Sequence, residues 1–240
     1  MNKVDILAFG AHPDDVELSC SGTVIKHIKN GKKVGIIDLT NGELGTRGTP
    51  EIRLSEAEAA SKIMGVAVRE QLNMMDGYFD FSEANKLAIV RMVRKYKPEI
   101  VLANAITDRH PDHGRAAKLV SESCFLAGLR KVITLDENNQ SQHEWRPKVV
   151  YHYIQDRYLK PDFIVDITPF MELKMQAIKA FSSQFYNPES NEPITPIATK
   201  EFLDFLEARA GEFGRAIGVK YAEGFTTDRP VGVHSLFDLI

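Results

Sequence analysis

Two short stretches of the sequence carry the side chains best suited to catalysis. The tripeptide His-Pro-Asp occurs in "AHPDDVE" and again in "RHPDHGR", and nowhere else in the chain. Together the two stretches supply six imidazole and carboxylate groups: His12, Asp14, Asp15, His110, Asp112 and His113. Two neutral imidazoles and one carboxylate are an ordinary ligand set for catalytic zinc, which keeps a further coordination position for water. The pair of stretches therefore predicts a zinc site.

The spacing of these residues suggests how they divide the work. His12 follows a buried apolar run, Asp15 falls in the first turn of the next helix, and His113 falls at the start of a later helix. These three side chains can ligate one ion. Adjacent residues at a helix start do not share a face, so Asp14 is left to act as a general base toward the metal-bound water.

Two further residues of the second motif are expected beside the metal. His110 lies three residues before His113 and should sit at the rim of the same site. Asp112 is expected to hold one ring nitrogen of His110, which would fix its tautomer and its charge. Helix capping would explain either motif alone, because Asp and Pro often begin helices. Capping does not explain the duplication, and we therefore favour catalysis.

The apolar pattern alternates between buried strands and helices over the first part of the chain. The predicted strands are 4–9, 34–40, 69–74 and 99–105, and the predicted helices are 15–30, 49–65, 82–98 and 111–130. This alternation indicates an α/β fold, a Rossmann-like, doubly wound and mostly parallel sheet. The later pattern is looser, with strands at 149–154 and 163–168, helices at 169–183 and 198–217, and a loop or lid at 186–200. We expect one domain, 1–240, with a core of about 1–135 and a C-terminal strand and helix elaboration of about 136–240.

Both motifs occupy the same kind of place, after a buried strand and before a helix. In an open α/β sheet, ligands bind outside the carboxyl ends of the strands, where the strand order reverses. If the first and fourth predicted strands are neighbours, the two motifs face each other across that point. The fold class therefore explains how groups so distant in the sequence can meet.

The composition argues against several classes of partner. Lys and Arg total 30 and Asp and Glu total 33, and the resulting net charge of −3 does not favour a nucleic-acid partner. No apolar run approaches the ~20 residues of a membrane span, and no signal-peptide pattern precedes the first strand. Two cysteines, Cys20 and Cys124, are too few for a disulfide scaffold and favour a reducing compartment. We expect a cytoplasmic protein with neither a membrane nor a nucleic-acid partner.

The motifs resemble those of a known family. "AHPDDVELSCSG" is similar to the Ala-His-Pro-Asp-Asp-x-Glu signature of the PIG-L/LmbE-like zinc N-deacetylases, and "RHPDHGRAA" is similar to their second metal motif, His-Pro-Asp-His. Residues 39–66 and the late "SQF" and "GVKYAEGF" are similar to the bacillithiol-biosynthesis branch. The resemblance implies a Rossmann-like fold, one zinc ion per chain, a homo-oligomer, and hydrolytic removal of an acetyl group from an N-acetylglucosaminyl compound.

The resemblance also implies roles for individual residues. It puts the zinc ligands at His12, Asp15 and His113, the general base at Asp14, the transition-state histidine and its aspartate partner at His110 and Asp112, and a substrate-binding arginine at Arg53. These roles agree with those that residue type and spacing suggest independently.

Charged residues near the predicted site bear on the choice of substrate. Glu43, Arg47 and Arg53 lie on the loop after the second strand and the helix that it enters, and Arg109 directly precedes the second motif. The family branch suggests N-acetylglucosaminyl malate, whose two carboxylates would suit forked guanidinium groups. We expect Arg109 and Arg47 to contact malate and Arg53 to contact the sugar, with Glu43 as a further contact. An inositol conjugate or a chito-oligosaccharide is the alternative substrate.

The residues leave two other functions open. A phosphohydrolase with a His/Asp metal centre would carry its motifs on helices, whereas these motifs follow strands, and no phosphate-binding glycine loop is present. A non-catalytic sugar- or nucleotide-binding module would use a structural metal, and structural zinc is normally closed by four Cys or His ligands. Metal content and acetate release would separate these functions. The sequence assigns no role to the loop 186–200 or to His234.

Overall fold

The computed structural model describes residues 3–239, which contain seven strands and six α-helices. The strands are β1 (Ile6–Gly10), β2 (Val34–Thr40), β3 (Val68–Met74), β4 (Ile100–Ala103), β5 (Val149–Tyr153), β6 (Phe163–Asp166) and β7 (Ala222–Thr226). The helices are α1 (Asp15–Lys29), α2 (Pro50–Met64), α3 (Glu83–Tyr96), α4 (Pro111–Ala127), α5 (Met171–Lys179) and α6 (Lys200–Ala216). Short 3₁₀ turns occupy Thr168–Phe170 and Leu236–Asp238.

All seven strands belong to one sheet, in the spatial order β3-β2-β1-β4-β5-β7-β6. The strands from β3 to β5 in this order are parallel, and β7 runs antiparallel to β5 and β6. The predicted α/β class and mostly parallel sheet are confirmed. β1 pairs with both β2 and β4, so the strand order reverses at β1 and β4, as the interpretation of the two motifs requires.

The first four strands alternate with helices as predicted, but the sequence did not reveal β7. This strand carries Glu223 and Gly224 within a run of five residues, which interrupts the apolar pattern on which strand prediction depends. It is nevertheless fully buried, because β5 and β6 pair with its two edges and α1 and α6 pack on it. The second half of the chain thus extends the same sheet that β1 to β4 begin.

Helix boundaries follow from capping residues that the sequence contains. The Thr49 side chain accepts a hydrogen bond from the backbone N–H of Ile52, and Pro50 is the first residue of α2. Gly65 ends α2 with a φ of 80°, a left-handed conformation that costs glycine little. These residues set the two ends of the helix that the sequence predicts at 49–65.

The core lies on both faces of the sheet. Ile6 and Ala8 of β1 pack toward α1, α2, α5 and α6, whereas Leu7 and Phe9 pack on the opposite face toward α3 and α4. Successive side chains of a strand leave opposite faces, so a strand covered on both sides is continuously apolar. Packing on both faces holds β1 and β4 in place. It therefore also positions the loops that follow their carboxyl ends.

Both cysteines are buried, and neither forms a disulfide within residues 3–239. Cys20 packs on the α1 face of the sheet and Cys124 on the α4 face. No helix in this described part of the chain combines the length and the apolar character needed to cross a membrane.

Candidate active site

The loops after β1 and β4 bring three histidines into one cluster. The ring centroids of His12 and His110 are 4.7 Å apart, those of His12 and His113 are 5.7 Å apart, and those of His110 and His113 are 5.2 Å apart. Because β1 and β4 are adjacent, the two motifs meet at the carboxyl edge of the sheet. The cluster opens into a cavity of about 280 Å³.

Asp15 lies between two of these rings. Its Oδ1 is 3.1 Å from Nε2 of His113, and its Oδ2 is 3.7 Å from Nδ1 of His12. The backbone N–H of His12 donates to Oδ2 as well, at 2.9 Å. The three predicted ligands therefore come together, each histidine presenting one nitrogen to the same carboxylate.

The opposite nitrogen of each of these two rings contacts further carboxylates. Nε2 of His12 is 3.0 Å from Oδ1 of Asp76 and 3.5 Å from Oδ2 of Asp112. Nδ1 of His113 is 2.5 Å from Oδ2 of Asp108. Metal-binding histidines usually donate their other ring N–H to a carboxylate or carbonyl, and these contacts have that form.

Two side-chain amides donate hydrogen bonds to the Asp15 carboxylate. Asn104, just after β4, donates to Oδ2 at 2.9 Å, and Gln155, just after β5, donates to Oδ1 at 3.1 Å. The oxygen of the Gln155 amide accepts in turn from Asn104 and from the backbone N–H of Ala105. Neighbouring strand ends thus fix the orientation of the Asp15 carboxylate.

The donor atoms suit a divalent cation. Among residues 3–239, two sets of three donor groups have atoms within 4.8 Å of one another: His12, His110 and His113, and His12, Asp76 and Asp112. Burial alone would lower the pKa of His12, but hydrogen bonds to Asp112 and Asp76 raise it to about 10. Binding of a metal displaces such protons, because the ligand must be the neutral imidazole. The surrounding carboxylates supply the negative charge that a bound cation would offset.

Asp14 behaves differently from its neighbour Asp15. It has a φ of 121° and a ψ of −20°, and as the N-cap of α1 its side chain makes no capping hydrogen bond within the described residues. A positive φ costs a residue other than glycine about 1–3 kcal/mol, and such strain is concentrated at functional sites. Its carboxylate instead accepts from Nη2 of Arg53 at 2.9 Å. Burial raises the pKa of Asp14 to about 6, although the charge of Arg53 opposes this shift.

The second motif departs from the expected pairing of Asp112 with His110. The Asp112 carboxylate contacts His12, accepts from the backbone N–H of Gly77 at 2.8 Å, and accepts from Nη1 of Arg115 at 2.5 Å. Only the backbone N–H of Asp112 reaches His110, at 3.3 Å from Nδ1. The reason is that His110 is the N-cap of α4, so its ring covers the end of the helix while the Asp112 side chain leaves from the second position.

Two charged residues of the loop after β2, Arg47 and Glu43, contact the protein itself, whereas the sequence predicted contacts with the substrate. The guanidinium of Arg47 is buried and donates to the carbonyl of Ser183 at 2.7 Å and to the hydroxyl of Ser190 at 2.7 Å. It therefore ties this loop to the segment before α6, and it is not free for the expected malate contact. Glu43 accepts from the backbone N–H of Asp76 at 2.8 Å and does not line the cavity.

Arg53 and Arg109 both line the cavity, as expected of substrate-binding residues, but in different states. Arg53 is buried and donates to Asp14, to the carbonyl of Pro13 at 3.0 Å and to that of Gly42 at 3.1 Å. Arg109 is half-exposed and, within residues 3–239, makes one ion pair, through Nε at 3.1 Å from Oδ2 of Asp156.

Several residues that contact the site were not singled out from the sequence: Asp76, Asn104, Asp108, Gln155 and Arg209. The first four lie after the carboxyl ends of β3, β4 and β5, which is the only sequence signal that could have identified them. Arg209 is on α6 and lines the cavity with Phe202 and Leu206 of the same helix. The predicted lid contributes Thr195, Pro196 and Ile197 to the lining, whereas His234 is exposed and lies outside the cavity.

Comparisons with known proteins agree with the geometry. Residues 7–124 match the sequence profile of the family PIG-L, described as GlcNAc-PI de-N-acetylase. This segment runs from β1 into α4 and contains both His-Pro-Asp motifs.

Three proteins of similar length give the extent of the likeness. The chain is 29% identical over 229 residues to the diacetylchitobiose deacetylase of Thermococcus kodakarensis. This alignment covers 91% of this chain and 81% of that protein. It is 23% identical over 201 residues to the "Probable N-acetyl-alpha-D-glucosaminyl L-malate deacetylase 2" of Bacillus anthracis. That alignment covers 77% of this chain and 83% of the relative. A crystal structure of the conserved protein TT1542 from Thermus thermophilus is 33% identical, superposes with a TM-score of 0.86, and covers 97% of this chain and 98% of its own.

Proposed function

This chain belongs to the PIG-L/LmbE-like family of N-deacetylases, which hydrolyse amide C–N bonds, and we propose that it removes the acetyl group of an N-acetylglucosaminyl conjugate at a zinc site formed by His12, Asp15 and His113. The observation that carries this proposal is the Asp15 carboxylate between two imidazoles. Each imidazole is supported on its far nitrogen by carboxylates. This support favours Nδ1 of His12 and Nε2 of His113 as the ligand atoms.

The residues around the ligand set supply the proton transfers. When bound, zinc lowers the pKa of a coordinated water to about 7 and polarises the acetyl carbonyl. Asp14 faces the cavity, and its carboxylate is oriented by Arg53. It accepts a proton from the attacking water and then passes that proton to the leaving nitrogen, so that the C–N bond breaks to give acetate and a free amine.

His110 is suited to stabilise the negative charge that develops on the acetyl oxygen. Its Nδ1 accepts the backbone N–H of Asp112, so the ring carries its proton on Nε2. An N–H that is fixed toward a developing oxyanion is worth about 3–4 kcal/mol of transition-state stabilisation. The same tautomer makes His110 a donor and not a metal ligand.

For the substrate we propose N-acetylglucosaminyl malate, whose deacetylation gives glucosaminyl malate. The relative named for that reaction and the unpaired part of the Arg109 guanidinium support this choice. Diacetylchitobiose is the second candidate, because the relative named for it is the more similar of the two, with 29% identity against 23%. Zinc as the metal and assembly into a homo-oligomer are further predictions of the family resemblance.

An acetate-release assay tests the proposal. The zinc-loaded protein is given the malate conjugate, the inositol conjugate, diacetylchitobiose and free N-acetylglucosamine, with Asp14→Asn as the matched inactive control. We expect acetate from at least one compound, loss of the activity on chelation, and its return with zinc. Failure to release acetate from all four, or release that chelation does not affect, would reject the zinc deacetylase and leave a binding module or another hydrolase.

A further inference from the structure

Four arginines line the cavity, and two of them are committed to other parts of the protein. All three guanidinium nitrogens of Arg47 donate to the segment before α6, at Ser183, Ser190 and Pro193. Both terminal nitrogens of Arg53 donate to Asp14 or to backbone carbonyls. Three hydrogen bonds to protein oxygens fix the orientation of each of these guanidinium groups, so neither is free to turn toward a substrate carboxylate.

The other two arginines keep free donors. Arg109 uses Nε for Asp156, and Arg209 uses Nη1 for the backbone carbonyl of Gln155. Their remaining guanidinium nitrogens have no hydrogen-bond partner among residues 3–239. Since both groups bond to the same dipeptide, 155–156, they flank one portion of the cavity wall.

Arg209 lacks an acidic partner in contact with its side chain. The described residues include no carboxylate within 4.0 Å of its guanidinium, which lies over the Phe205 ring at 5.4 Å. Burial lowers the pKa of Arg209, and the more distant charges of Asp156 and Glu223 offset this only in part. A partly buried cation without a counter-ion is unfavourable, so an anionic ligand would stabilise this arrangement.

The dipeptide also fixes where this portion of the wall lies relative to the metal ligands. The Gln155 side chain holds Asp15 at 3.1 Å, while the backbone carbonyl of the same residue holds Arg209. In an N-acetylglucosaminyl conjugate the acetamide and the group on the anomeric carbon are attached to adjacent ring carbons. A substrate with its acetyl group at Asp15 can therefore place that second group against the cavity wall that Gln155 shares with Arg209.

We propose that Arg209, together with Arg109, forms a subsite for a carboxylate on the group attached to the anomeric carbon, and that Arg209 is a specificity-determining residue. This inference rests on the proposed deacetylase function. It replaces Arg47 in the expected anion site with a residue from α6. A neutral substrate would leave the guanidinium without a counter-ion, so the subsite selects conjugates that bear a carboxylate.

The test compares the malate conjugate with its dimethyl ester, which has nearly the same shape without the charge. Arg209→Gln removes the charge but keeps a donor for the Gln155 carbonyl, and Arg209→Lys restores the charge. Arg215→Gln is the matched control, because it makes the same change at an exposed position on the same helix. kcat/KM is measured for both compounds in each variant, and binding of both to the metal-depleted proteins is measured by calorimetry.

We expect Arg209→Gln to lower kcat/KM for the acid by about 10- to 150-fold, the range for a lost charge-assisted hydrogen bond, mainly through KM. The ester should change by less than about twofold, Arg209→Lys should recover part of the loss, and the calorimetric affinity for the acid should fall in parallel. Equal losses on acid and ester would overturn the subsite, because they indicate that Arg209 only supports Gln155. Turnover of both compounds by the unmodified protein without preference would also overturn it, while no acetate from either would reject the deacetylase function itself.

Discussion

The two His-Pro-Asp loops have the same tripeptide and use it in opposite ways. In the loop after β1, the histidine contacts Asp15 and the aspartate, Asp14, faces the cavity. In the loop after β4, the histidine, His110, faces the cavity, and the aspartate turns away to support His12. The tripeptide ends before α1 begins at Asp15, whereas α4 begins inside it at Pro111. Helix phase, and not residue type, therefore decides which group of each tripeptide is the candidate catalytic group at the cavity and which supports a neighbouring side chain.

The largest expected effect comes from removing the metal ligand of the second motif, and the comparison is with removal of the neighbouring histidine of the same motif. His113→Ala leaves two of three ligands, so we expect it to lose most of its bound zinc and all measurable deacetylation. His110→Ala should keep its zinc, since His110 is a donor and not a ligand. Metal content by elemental analysis after dialysis checks both. A His113→Ala protein with full zinc and full activity would refute the assignment.

The second prediction concerns the two adjacent aspartates. Asp14→Asn keeps the size of the side chain but removes the base, so kcat should fall by about 10²- to 10⁴-fold with unchanged zinc content. Asp15→Asn, which weakens a ligand, should lower zinc content as well. Steady-state kinetics and metal analysis on the same preparations provide the comparison. Loss of zinc from Asp14→Asn would show that the roles of the two aspartates are reversed.

The third prediction concerns the cavity-facing histidine of the second loop. His110→Ala removes one donor to the acetyl oxygen, so kcat should fall by about 10²- to 10³-fold. KM should change little, because that hydrogen bond strengthens only as charge develops. Steady-state kinetics on the zinc-loaded variant separates the two constants. Retention of kcat within about twofold would mean that another group stabilises the oxyanion.

The smallest expected effect is a change in zinc affinity. It tests whether the Asp112 carboxylate supports His12, as the structure has it, or His110, as the sequence predicted. If its carboxylate supports His12, Asp112→Asn and Asp76→Asn should each weaken zinc affinity by about 10- to 100-fold, with activity recovered at saturating zinc. Asp80→Asn, on the same loop as Asp76 but exposed, serves as the control. Competition with a chelator of known affinity measures the change. A lower kcat with unchanged zinc affinity would restore the pairing of Asp112 with His110.

Much of the fold was predictable because its signals are local. The alternation of buried strands with capped helices gave the first four strands, and the adjacency of β1 and β4 follows from a common strand order. β7 was missed because Glu223 and Gly224 interrupt its apolar pattern, and the helices and the Lys174 partner that allow Glu223 to be buried come from distant parts of the chain.

The site was predictable only where residues cluster in the sequence. The motif residues stand together, but Asp76, Gln155 and Arg209 are single residues on three different elements, brought in by tertiary structure. Arg47 was expected in the anion site because its charge and loop position fit, yet its guanidinium is occupied by a segment more than a hundred residues away. Sequence position locates an edge of the sheet, but hydrogen-bond partners decide which side chains remain free.

The central claim is that both loops ligate one zinc ion through Asp15 and the two histidines that flank it. Anomalous diffraction at the zinc edge from crystals of the loaded protein tests it most directly. We predict one peak per chain, at about 2.0–2.2 Å from Nδ1 of His12, an oxygen of Asp15 and Nε2 of His113, with His110 outside bonding distance. A peak on the other side of the His12 ring, bonded to Nε2 together with Asp76 and Asp112, would contradict it.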